Sequence, residues 1–133
     1  MRTSRFCALA TLPCILFGCA DQPVAHGQSD AVLARYRFRR LTADLPASIR
    51  VPAVAAAADS ALRDRGYSIT DARVNDDRAD LTAKPFDPTF LESMSVSVRQ
   101  AATGTRLDII ATPLGDRARS HALLDAILDR LGH

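Results

Sequence analysis

Between residues 94 and 111 the chain alternates between apolar and polar side chains with a period of two. Met94, Val96 and Val98 are interleaved with Ser95, Ser97 and Arg99, and after Thr103-Gly104 the alternation resumes with Leu107, Ile109 and Ala111. In an extended chain successive side chains point to opposite faces, so each run predicts a strand with one dry and one wet face. The small-residue turn between them predicts a hairpin. A hairpin that is dry on one side needs a cover, and the rest of the chain is constrained to supply one.

More strands and two helical stripes provide the remaining pieces. Tyr67 to Val74 and Ala79 to Lys84 flank the turn formers Asn75-Asp76-Asp77 and predict a second hairpin. Arg35-Tyr36-Arg37-Phe38-Arg39 predicts a first strand, with Tyr36 and Phe38 on one face and Arg35, Arg37 and Arg39 on the other. From Pro52 to Arg65 the spacing of Val54, Ala58, Ala61 and Leu62 is helical, with Ser48 or Pro52 at its start and Gly66 at its end. Asp116 is placed to cap a closing helix with the stripe Leu123, Leu124, Ile127, Leu128 and Leu131. The expected order is β-α-β-β-β-β-α. The expected fold class is α+β, an antiparallel sheet of about five strands covered on one face by two helices.

The first thirty residues have a different character. Arg2 and Arg5 precede an uncharged, mostly apolar run from Phe6 to Phe17, the order of an export signal. A helix of that length reaches about 18 Å, short of the roughly 30 Å hydrocarbon core. The run closes on Leu16-Phe17-Gly18-Cys19, which resembles the lipobox of bacterial lipoproteins at Leu16, Gly18 and Cys19, with Phe17 bulkier than the usual residue. Cysteine usage agrees: Cys7 and Cys14 lie in the segment to be removed, leaving Cys19 without an intramolecular partner. The resemblance implies cleavage before Cys19 and acylation on it by a diacylglyceryl thioether and an N-acyl chain, palmitate-like in kind. It also implies an envelope address facing the periplasm. In the sorting pattern of enteric lipoproteins an aspartate after the cysteine favours the inner membrane, so Ala20 favours the outer one. The expected organisation is a signal peptide over 1–18, a lipidated Cys19 and polar tether over 19–30, and a single domain over 31–133.

Charge excludes one class of partner. The whole chain carries 17 basic and 15 acidic residues, and removal of Arg2 and Arg5 brings the two counts level. A neutral domain lacks the basic excess of a dedicated nucleic-acid binder.

From about Leu41 onward the chain resembles a family of small envelope lipoproteins classed as a domain of unknown function. The resemblance is carried by Ala56-Ala57-Ala58-Asp59-Ser60-Ala61-Leu62 before Gly66-Tyr67, by the alternating strand Arg106 to Ala111, and by Gly115-Asp116 with Ser120 heading the last helix. It implies a compact α+β domain and an address, and no reaction.

The search for chemistry finds few parts. His26 falls in the expected tether, His133 is terminal, and His121 is the one histidine on an expected regular element. Ser120-His121 with Asp116 offers triad residue types, but adjacent helical residues diverge by about 100°. Asp76, Asp77 and Asp80 lack the spacing, glycine and closing glutamate of a calcium loop. No catalytic, metal or cofactor residues are therefore assigned, and the expectation is a binding or scaffolding module rather than an enzyme. The competing expectation is a small periplasmic enzyme or a carrier of an apolar ligand in a cavity between sheet and helices. The candidate interaction surface is Arg35, Arg37 and Arg39, for an anionic surface or an acidic envelope protein, together with Phe86 and Phe90 among the prolines Pro85 and Pro88.

Overall fold

In a computed structural model, which describes residues 22–28, 32–87 and 91–133, the chain forms one antiparallel sheet backed by two helices. The strands are β1 (Val24–His26), β2 (Val32–Arg37), β3 (Arg40–Leu45), β4 (Tyr67–Val74), β5 (Arg78–Pro85), β6 (Ser93–Ala101) and β7 (Gly104–Thr112). The helices are α1 (Val51–Asp64) and α2 (Arg117–Leu131). The spatial order is β1-β2-β3-β7-β6-β5-β4, so α1 carries the chain from the middle of the sheet to its far edge.

The alternation over 94–111 does what its period requires. Met94 faces Ala111, Val96 faces Ile109 and Val98 faces Leu107 across the β6–β7 ladder, and all six are buried. Ser95, Ser97 and Asp108 share the opposite face, which neither α1 nor α2 covers. Both helices bury their apolar stripes against the dry face. Ala55, Ala58 and Ala61 let α1 lie close to the sheet, while Leu123, Leu124, Ile127 and Leu128 fill the space below α2. Between the helices Arg130 reaches from α2 to Asp64 and, at 3.1 Å, to Ser60 Oγ on α1.

The helix ends follow from local chemistry. Asp116 caps α2 by accepting the Arg119 N–H at 2.8 Å, as its position predicts. The N-cap of α1 is Arg50, without a side-chain bond, and Pro52 occupies the first turn. Gly66, at φ +82°, ends that helix with its N–H on the Arg63 carbonyl.

Three expectations are corrected. Among the described residues the sheet has seven strands rather than about five: β1 is too short to stand out by periodicity, while β3 carries the alternation Leu41-Thr42-Ala43-Asp44-Leu45 that the sequence reading passed over. The run Arg35 to Arg39 is not one strand: β2 ends at Arg37, and Phe38 and Arg39, at φ +48° and +68°, form a two-residue turn into β3. Turns with positive φ at both central residues match the right-handed twist of paired strands, which is why this conformation is held without a glycine. Phe38 consequently leaves the sheet face that it would share with Tyr36. Finally, β1 lies inside the stretch expected to be a tether. It pairs with β2 and buries His26, a tertiary contact that three residues of mixed polarity do not announce.

Candidate functional site

One end of the sheet gathers the β2–β3 turn, the loop between β5 and β6, and the Pro113–Asp116 segment between β7 and α2. The four most exposed large apolar side chains among the described residues all lie there: Leu91 at 93%, Phe38 at 87%, Leu114 at 81% and Phe86 at 66%. Scattered surface leucines are ordinary, but apolar side chains gathered on neighbouring loops mark a contact surface. The loops are braced against each other. The Arg39 guanidinium donates to the Pro113 carbonyl at 2.8 Å, and Arg37 lies over the Phe38 ring at 5.1 Å. Gly115 is required for this closeness, since a Cβ there would stand 2.7 Å from the Tyr36 hydroxyl and 2.8 Å from Arg39 Cβ.

Arg119, in the first turn of α2, organises the same end. It pairs with Glu92, donates to the Tyr67 hydroxyl at 3.3 Å, and lies 3.5 Å from the Asp116 carboxylate. The Glu92 hydrogen bond, foremost, holds its guanidinium even more firmly protonated than usual. Open clefts flank this cluster on both sides. One, of about 410 Å³, runs between Leu91, Pro113 and Leu114; the other, of about 310 Å³, runs between Tyr67, Met94 and Leu123.

A second cluster sits beneath β1. His26 Nδ1 is 2.6 Å from Asp125 Oδ1, and its Nε2 is 2.7 Å from His121 Nδ1, with the two imidazoles stacked. In the neutral tautomer of His26 that donates its Nδ1–H to Asp125, Nε2 accepts the His121 Nδ1–H. That leaves His121 Nε2 as a bare lone pair, and this atom is buried with no hydrogen-bond partner. Burial, then the nearby His26 and Arg117, lowers the His121 pKa from 6.5, while Asp125 opposes the shift. The arrangement is a pair of stacked histidines latched by one carboxylate.

The arginine and aromatic residues singled out by sequence separate in space. Arg35 and Arg37 stay on the open sheet face, where Arg35 borders a groove of about 540 Å³ with Leu33, Thr42, Asp44 and Arg106. Arg39 belongs to the turn, so the expected row of three arginines is divided. Much of the open face is satisfied by its own pairs: across strands, Arg106 with Asp44 at 2.9 Å, Thr42 with Asp108 at 2.6 Å and Asp80 with Ser97 at 2.7 Å, and within β5, Asp80 with Arg78 at 2.7 Å. Arg78, chiefly, holds the Asp80 carboxyl below its ordinary pKa. Phe86 stands exposed at the apolar end; Phe90 and Cys19 lie outside the described residues. Ser120 is buried and donates to the Asp116 carbonyl at 2.7 Å, so it does not meet His121 as a nucleophile meets its base.

Sequence reasoning singled out Leu91 beside Phe86 and Phe90 as a possible apolar tip, and it missed His26 and Leu114. His26 carries no local signal, since its partners lie 95 and 99 residues away. Leu114, beside Pro113 and Gly115 in a loop, was legible as an apolar residue outside any periodic stripe.

Among the described residues no group of histidine, cysteine and carboxylate side chains is arranged to hold a metal ion, and no helix is long and apolar enough to cross a membrane. Comparison with protein-family models and with curated proteins gives no match. The fold and surface define the class in structural terms: a small α+β sandwich with one polar open face and one apolar end.

Proposed function

We propose that the chain is the precursor of a lipid-anchored envelope protein, and that its domain acts by binding rather than by catalysis. The observation that carries the reading is the leader: two arginines, a short apolar run, and Gly18-Cys19 at its close. Several acyl chains on Cys19, each contributing about 0.8 kcal/mol per buried methylene, would make attachment effectively permanent. The open face with Arg35 and Arg37 is the surface for a carboxylate- or phosphate-bearing partner, and the outer membrane is the proposed location.

Mass spectrometry of the mature N-terminus from cells of the native host tests the anchor. The expected result is a chain beginning at a triacylated Cys19, and Cys19→Ser abolishes lipid incorporation. A chain still beginning at Met1, or an unmodified Cys19, ends the proposal. Charge reversal at Arg35 and Arg37 tests the binding face, with complementation of a deletion strain as the readout. Loss of complementation in a normally folded, normally localised variant supports it, and full activity removes the arginine face from the reading.

A further inference from the structure

The chain enters the domain from the apolar end. β1 runs antiparallel to β2, with His26 opposite Val32 and Val24 opposite Ala34, so each step from Val24 toward the N-terminus leads toward the Phe38 turn. Cys19 precedes Val24 by five residues, a leash of at most about 18 Å. The rise of β2 places Phe38 about 13 Å beyond Ala34. A lipid on Cys19 would therefore have only about 5 Å of reach past the apolar end. The domain could not stand away from its membrane unless β1 left the sheet, and the Asp125–His26–His121 cluster holds β1 in place.

We propose that the end of the sheet bearing Phe38, Phe86, Leu91 and Leu114 is a membrane-seating surface, which rests against the bilayer that carries the Cys19 anchor. The proposal rests on the lipid-anchor reading above. Charge agrees with a phospholipid surface containing anionic headgroups. Arg37, Arg39 and Lys84 stand exposed around this end; of its carboxylates, Glu92 and Asp116 are engaged by Arg119, and Asp87 lies exposed beside Phe86, so the cations outnumber the remaining acid. Apolar side chains with a cationic surround are the composition of an interfacial contact. Seated this way, the strands stand upright on the membrane. The open face with Arg35 is then presented sideways to a partner in the periplasm.

The test uses the mature lipoprotein from its native host, reconstituted into vesicles of phosphatidylethanolamine and phosphatidylglycerol, with its N-terminal mass determined on the same material. An environment-sensitive fluorophore is placed by Leu114→Cys at the apolar end, and by Asn75→Cys in the β4–β5 turn at the opposite end. The expected result is a blue shift at position 114 on reconstitution, with quenching by spin-labelled lipids, and neither effect at position 75. With lipid on Cys19 confirmed, a probe at 114 as wet as that at 75 overturns the seating surface and leaves the anchor standing. A blue shift without lipid quenching means that a second copy of the chain covers this end, and it also overturns the proposal. An unmodified Cys19 removes both the anchor and the seating surface.

Discussion

His26 on β1 and His121 on α2 stack with their ring centroids 4.7 Å apart and their planes 14° from parallel, 95 residues apart in sequence. The contact joins the first strand of the domain to its last helix. Asp125, one helical turn beyond His121, completes the join by accepting from His26. Among the described residues the three-residue β1 has only β2 as a strand neighbour, so much of its attachment depends on this cluster.

Removing the carboxylate should loosen β1. Asp125→Ala leaves a buried His26 N–H without its acceptor, and the expected loss is about 1–3 kcal/mol. Asp125→Asn, which retains an acceptor oxygen, should lose less. Chemical denaturation reads the stability, and amide hydrogen exchange reads the strand. Exchange at Val24 and His26 should accelerate more than at β6 and β7; uniform acceleration, or none, would remove the latch.

Stability should fall on mild acidification. The folded-state pKa of His121 lies below its unfolded value of 6.5, so between the two the unfolded chain binds more protons than the folded one. The contribution of neutral His121 is complete above the ordinary histidine range and declines as pH drops below about 6.5, down to the lower folded pKa. His121→Gln, which does not titrate, should flatten this part of the profile. Denaturant midpoints between pH 5 and 8 provide the check, and identical profiles for the two proteins would exclude His121 as the cause.

The close approach of α1 to the sheet should tolerate no added bulk. Ala58 is wholly buried on the sheet-facing side of the helix, and Ala58→Leu forces either helix displacement or strained rotamers. The expected cost is about 1–3 kcal/mol, measured by thermal or chemical unfolding. Ala56→Leu, on the exposed side of the same helix, should stay within about 0.5 kcal/mol of the parent. Equal effects at the two positions would mean that the alanine face is not the packing face.

What the sequence determined by itself is whatever depends on neighbours a few residues apart. The β6–β7 and β4–β5 hairpins, both helices and the Asp116 cap were legible because period, turn chemistry and capping act within a few residues. Tertiary structure decided the rest. β1 is a strand because β2 offers it an edge and Asp125 and His121 meet His26 from a distant helix. The division of the arginine run depended on the twist of two paired strands rather than on alternation, which favours a single strand there. The apolar end was legible only in its β5–β6 loop, at Phe86 and Leu91. Phe38, Phe86, Leu91 and Leu114 are separate loop residues in sequence, and only the return of three connections to one edge of the sheet makes them a surface.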